Sequence, residues 1–232
     1  MSLRVTEYTV SSERIAEPLK LALVADLHNR PYEACLPVLA GADAILILGD
    51  LVDRHRRGFA NALRFLKDAP DCAPTFYAIG NHEWKFKERE AYWPRVLQSR
   101  ITVLDNEWMP FRGLALGALS SAPRPNPGFL PEMARQKGFR LLMCHQPEYF
   151  GRYVEAHAID LTLSGHAHGG QVQLFGRGLY APGQGLFPRL TNGFYQDGRL
   201  LVSRGMTNSA RAPRLNNPRE LVLLRLQPDT GR

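Results

Sequence analysis

Cysteine is scarce in this 232-residue chain: Cys35, Cys72 and Cys144 are odd in number and far apart. That pattern argues against a disulfide framework and for a reducing interior. Long apolar runs are missing too, and no stretch approaches the roughly 18 consecutive apolar residues that a membrane-spanning helix needs. The opening MSLRVTEYTV holds no apolar signal region. A cytoplasmic protein without a membrane span is the expectation. Repeats and low-complexity tracts are absent as well, which argues against solenoids and disordered arrays. No shift in composition divides the chain, so one α/β domain over residues 1–232 is expected.

What is present begins with a core: 44% of residues are hydrophobic and 9% aromatic. The formal net charge of +7 is unevenly spread. Residues 169–232 hold nine arginines against Asp197, Glu220 and Asp229, whereas the first 168 residues carry 20 basic and 19 acidic side chains. Such a basic region favours an anionic substrate. Nucleic acid is one such partner, disfavoured by the lack of an extended basic helix.

The pattern reads as strands alternating with helices. Residues 3–10 alternate as an edge strand does. Residues 19–25 and 44–48 are continuous apolar runs, as in strands buried on both faces. Helices are expected over 32–40, over 58–68 with a stop before Pro70, over 85–99 despite Pro94, and over 147–157. Further strands are expected at 75–79, 101–104, 113–119, 139–144 and 160–164. After residue 170 the pattern becomes β, at 171–175, 200–204 and 221–226. The proline-rich stretch 120–131 reads as a connection, and Trp84, Trp93 and Trp108 as packing residues.

Chemistry-bearing residues gather where the apolar runs end. Asp26-Leu27-His28 follows LALVA, Gly49-Asp50-Leu51-Val52-Asp53 follows AILIL, and Gly80-Asn81-His82-Glu83 follows TFYAI. His145 ends FRLLMC, and Gly165-His166-Ala167-His168 follows LTLS. In an extended strand end, residues two apart share a side, so Asp26 with His28, and His166 with His168, can each reach one metal. The Asp50 carboxylate can bridge two metals about 3.5–4 Å apart, a spacing suited to in-line displacement at phosphorus. Asp53 is expected to orient a metal-bound histidine from behind. Asn81 offers a neutral oxygen ligand. His82 would point to a different side, toward a phosphate oxygen or the leaving group. His55 and His157 lack such a setting and read as structural.

Taken in order, DLH, GDLVDR, GNHE, a lone His before Gln-Pro, and GHAHGGQ resemble the calcineurin-like metallophosphoesterases. The GHAHGGQ ending with the late VSRG looks like the branch of small bacterial phosphodiesterases related to the wall-associated enzyme of bacilli. The resemblance implies a four-layer α-β-β-α sandwich of two mixed sheets flanked by helices, with a dinuclear metal site at the strand C-termini. It implies that Asp26, His28, Asp50 and His168 hold one metal and that Asp50, Asn81, His145 and His166 hold the other. His82 becomes the catalytic histidine, supported by Asp53. The expected reaction is hydrolysis of a phosphoester, most simply a phosphodiester, by a metal-bridging hydroxide. Manganese is the favoured metal, with iron, zinc, cobalt and nickel also compatible with the ligands. A monoesterase or nuclease would use the same ligands, while a non-catalytic protein-binding module would have lost some of them.

Arg204 follows Leu200-Leu201-Val202 and precedes Gly205, the strand-end-and-glycine setting of the ligands. It is therefore expected at the site mouth, holding the anionic part of the substrate, whereas Arg225 and Arg232 are not.

Overall fold

Neighbouring side chains on β2 (Leu19–Val24) serve different layers of the computed structural model. Leu21 and Leu23 enter a cluster shared with Leu116, Leu141, Met143 and Leu163. Ala22 and Val24 face the opposite way, among Phe65, Leu66 and Tyr92. A strand with apolar residues on both faces must be covered on both sides, because its side chains alternate between them. The structure describes residues 3–121, 123, 125–175, 177–208, 213–229 and 231.

Two six-stranded sheets follow from this requirement. The first runs β1 (Leu3–Ser12), β16 (Arg219–Pro228), β2, β3 (Ala44–Ile47), β4 (Thr75–Ala78), β5 (Thr102–Leu104). Its pairs are parallel except β16 against β2. The second runs β14 (Gly193–Tyr195), β15 (Leu200–Val202), β9 (Leu161–Ser164), β8 (Phe139–Cys144), β7 (Leu114–Leu119), β6 (Glu107–Phe111). Here only the two outer pairs are antiparallel. Between them lies one continuous apolar cluster.

Helices cover the outer faces. On the first sheet α1 (Leu36–Leu39) contributes Leu39, α2 (Ala60–Cys72) buries Ala62, Phe65, Leu66 and Ala69, and α4 (Arg89–Leu97) buries Tyr92 and Val96. The spacing of three and four along α2 is that of one helical face. On the second sheet α5 (Leu130–Ala134) and the turn Phe150–Val154 bury Leu130, Met133, Phe150 and Val154. The four-layer sandwich expected from the motifs is the architecture found. No helix among the described residues is long and apolar enough to cross a membrane.

Several local expectations are corrected. Helix α2 runs through Pro70, because a proline this near the end removes one ladder bond and the last turn still closes from the Ala73 N–H to the Ala69 carbonyl. Segment 147–157 holds a π-helical turn, closed from the Glu155 N–H to the Phe150 carbonyl. The proline-rich 120–131 stretch leads into α5, with Pro127 and Pro131 in first-turn positions that need no N–H. Strand β6 was not expected; its Pro110 is tolerated because the strand lies at a sheet edge. The expected 171–175 strand is only β10 (Gln173–Leu174), paired with β11 (Arg177–Gly178), and a second small hairpin joins β12 (Tyr180–Ala181) to β13 (Gly185–Leu186).

Candidate metal centre

The loops that leave β2, β3, β4, β8 and β9 meet at the C-terminal ends of both sheets, the edge where open α/β sheets hold ligands. The backbone there is not extended. Asp26, His28, Asp50, His166 and His168 all have positive φ, between 47° and 66°. Asp and His visit this region more readily than most residues, yet each such conformation still costs on the order of 1–3 kcal/mol. Cross-loop bonds hold it: Asp26 N–H to Gly49 O at 3.2 Å and His28 N–H to Asp50 O at 3.0 Å. Asp26 and His28 thus converge through left-handed turns, not through strand alternation. Gly49, at φ 102°, lies where a Cβ would come within 2.8 Å of both Gly80 Cα and His145 Nδ1.

Each carboxylate commits one oxygen to a backbone amide. The His166 N–H donates to Asp26 Oδ2 at 3.1 Å, and the His82 N–H donates to Asp50 Oδ1 at 2.8 Å. The other oxygens meet the imidazoles. Asp26 Oδ1 lies 3.8 Å from Nε2 of His28 and of His168, and 3.9 Å from that of His145. Asp50 Oδ2 lies 3.1 Å from His145 Nε2 and 3.8 Å from His82 Nε2. Three imidazoles are fixed from behind through Nδ1, His28 on the Val52 carbonyl at 3.2 Å, His145 on Leu48 at 2.8 Å and His168 on Thr207 at 3.1 Å. Carbonyls only accept, so Nδ1 carries the proton and Nε2 faces the centre, as metal-bound histidines do.

The electrostatics suit neutral imidazoles beside an anionic Asp50, whereas burial raises the Asp26 carboxyl above its ordinary value. Burial and then the charge of His145 lower the His166 pKa to about 3, and burial followed by His28 holds His168 well below its usual value. His145 is the exception: burial disfavours its charge, but the adjacent Asp50 carboxylate raises it to about 10. Burial pushes the Asp50 carboxyl up, yet His145 and then His82 hold it well below the carboxylate range. Ligation releases the proton from such a pair.

His82 differs from the other rings. Its Nδ1 accepts the Arg54 N–H at 3.1 Å, so its own proton sits on Nε2, which faces the centre. Burial, only partly offset by Asp50, lowers its pKa to about 4, so the ring is a neutral donor at pH 7. Asp53 Oδ1 stands 3.7 Å behind Nδ1 but accepts its hydrogen bond from the His55 N–H at 2.9 Å. Asp53 therefore shapes the turn that presents the Arg54 amide.

Residues beyond the motifs' ligand positions frame the site. Glu83, fully buried, accepts from Gly80 N–H at 2.9 Å, Asp50 N–H at 3.1 Å and Leu51 N–H at 2.7 Å, tying the start of α3 (Asn81–Lys85) to the Asp50 loop. The signal was legible: a glutamate three residues after a helix-starting position closes a cap. Buried Arg214 donates to the Arg204 and Thr207 carbonyls, both at 2.6 Å, behind His168. Asn217 donates to the His168 carbonyl at 2.7 Å. No sequence pattern marked either.

A cavity of about 360 Å³ opens beside Asn81 and His166, walled by Arg54, Trp84, Lys85 and Tyr149. Trp84 therefore serves the site, while Trp93 and Trp108 pack against the sheets' outer clusters. Arg204 is not in that wall. Its guanidinium lies 3.7 Å from Glu220 Oε1 and bonds Asn217 Oδ1 at 3.4 Å, because Glu220 is buried and needs a cation. Arg225 pairs with Glu7 on the surface; Arg232 lies outside the described residues.

Divalent metals fit this donor set. Asp26 Oδ1, His28 Nε2, Asn81 Oδ1 and His145 Nε2 are buried without a hydrogen-bond partner, an arrangement that calls for a ligand. Asp26, His28 and His168 converge within 4.8 Å, as do Asp50, His145 and His166, and a third trio joins His28, Asp50 and His82. Asp50 is thus common to two groups.

Comparison with known proteins agrees. An uncharacterised metallophosphoesterase of Campylobacter jejuni is 28% identical over 241 residues, covering 96% of this chain and 63% of that protein. One of Helicobacter pylori is 26% identical over 243 residues, covering 97% and 64%. The chain thus spans just under two thirds of the length of these two relatives. One of Aquifex aeolicus is 23% identical over 260 residues, covering 97% and 92%. Residues 19–170 match the calcineurin-like phosphoesterase family, and the chain belongs to it.

Proposed function

We propose that this metal-dependent phosphoesterase acts on phosphodiesters. The observation that carries the reading is the walled cavity beside Asn81 and His166, which offers a second ester substituent a place next to the reacting phosphorus. A monoester has no such substituent. Arg54 and Lys85 on that wall suit an anionic substrate. Asp26, His28, Asp50 and His168 would hold one metal, and Asp50, Asn81, His145 and His166 the other, with manganese favoured. Two such ions, when bound, would lower the pKa of water toward neutrality and would offset charge at phosphorus.

The chain's own residues complete the chemistry. His82 donates from Nε2 to a non-bridging phosphoryl oxygen or to the leaving oxygen, and the Arg54 amide holds it in that tautomer. Asp53 and Glu83 act as positioning residues, fixing the turns that carry Arg54 and Asp50. The test is a comparison of manganese-loaded enzyme on matched aryl diesters and monoesters. Higher kcat/KM for the diester is expected. A clear preference for the monoester would overturn the diester reading and leave the phosphoesterase centre standing.

A further inference from the structure

The two small hairpins after the His168 loop gather most of the strongly exposed apolar side chains among the described residues, whereas Leu97, 72% exposed, stands apart from them on α4. Phe175 is 105% exposed, Phe187 77% and Leu186 73%, with Leu174 at 48% and Leu215 at 52% beside them. These positions are contiguous. Leu174 pairs across its hairpin with Arg177, Leu215 bonds to Gln173, and the Phe187 N–H reaches the Leu179 carbonyl between the hairpins. Apolar side chains scattered singly on a surface need no account, but a group on adjoining turns marks an interaction site.

The charge around them narrows the partner. From Leu161 to Gln196 the chain holds no aspartate or glutamate. Of the nine arginines after residue 168, Arg199, Arg204, Arg214, Arg219 and Arg225 are engaged by backbone carbonyls or carboxylates. Arg177 and Arg189 are exposed, and their side chains make no hydrogen bond or ion pair among the described residues. Both line one notch of about 480 Å³, which Phe187 also lines. Aromatic and leucine tips above unpaired guanidinium groups form the pattern by which proteins rest on anionic lipid headgroups.

We propose that these hairpins seat the protein on an anionic phospholipid surface: Phe175, Leu186 and Phe187 enter the acyl boundary, and Arg177 and Arg189 meet headgroup phosphates. Pro182 and Gly183, between β12 and β13, line the cavity at the metal centre, so the docked face adjoins the site mouth. The proposal does not depend on the diester reading.

Vesicle flotation of the full chain tests it, with phosphatidylcholine alone and with phosphatidylglycerol added. Binding is expected only to the anionic vesicles. Arg177→Ala with Arg189→Ala should weaken it roughly thirtyfold, about a fivefold loss per arginine at a charged surface. Phe175→Ser with Phe187→Ser should abolish it, while thermal midpoint and turnover of a soluble aryl ester stay at the wild-type values. Equal binding to both vesicle types, or full binding by the serine variant, would overturn the proposal. So would a dimer in light scattering that the serine substitutions dissolve, since the face would then belong to a second copy of the chain.

Discussion

The backbone of Arg54 decides what the imidazole of His82 can do. By occupying Nδ1 at 3.1 Å, the amide leaves His82 a single proton, on the nitrogen that faces Asp50. The ring is thereby built to give a hydrogen bond.

His82→Asn should therefore keep its metals and lose turnover by about a hundredfold or more, the usual worth of a positioned proton donor. Elemental analysis beside kinetics measures both. If His82 serves the leaving group, alkyl esters should suffer more than nitrophenyl esters, whose leaving groups need no proton. Loss of a metal in the variant would make His82 a ligand instead.

Chelated protein should lose hydrolysis and recover it with manganese, at a metal content approaching two per chain. Asp50→Asn should be the most damaging ligand change, because its carboxylate is the ligand that the two proposed metals would share. Full activity in protein shown to be metal-free would sink this expectation.

Glu83→Gln tests the clamp. The carboxylate accepts the N–H groups of Gly80, Asp50 and Leu51, and an amide nitrogen in place of one oxygen would face donors with a donor. A loss of about 2 kcal/mol in stability is expected, the cost of buried groups left unpaired, together with weaker metal binding. Denaturant midpoints and metal titration read these separately; unchanged values in both would rule the clamp out.

Much of this was legible in the sequence because each ligand ends an apolar run. A run such as AILIL can lie only in a buried strand, and the next polar residue must then emerge at that strand's end. The route was not legible. Extended alternation would pair Asp26 with His28, but the structure uses left-handed turns, which depend on bonds from segments far along the chain. The partner of Arg204 was hidden for a similar reason. The arginine's strand-end setting resembled that of the ligands, and only the fold brings Glu220 beside it. Buried Arg214 had no local signature at all.

Arg204→Ala should consequently lower stability by about 2 kcal/mol, since Glu220 stays buried without its cation, and leave KM unchanged. Lys85→Ala should do the reverse, raising KM roughly tenfold, about 1.4 kcal/mol of binding, with no change in melting. A KM effect confined to the Arg204 variant would return that residue to the substrate.

Arg140 offers a control remote from the chemistry. It is 6% exposed and grips Asp160 through two bonds, of 2.6 and 2.7 Å. Arg140→Ala should cost about 3–5 kcal/mol, the range for breaking a buried pair, with kcat/KM of the folded fraction intact. A loss below 1 kcal/mol would show the pair to be solvent-screened.

Strand β16 lies between β1 and β2, pairing with one in parallel and the other antiparallel. During synthesis β1 leaves the ribosome before β2 and β16, yet it has no neighbour in its sheet until residues 219–228 follow. Strand β1 thus waits unpaired for β16, and until then β2, apolar on both faces, is an open edge. Contacts so distant in sequence form slowly. A nascent chain halted before residue 219 would hold every metal ligand named above and still expose an unpaired, sticky strand, so this sheet's need for chaperones should end only when β16 arrives.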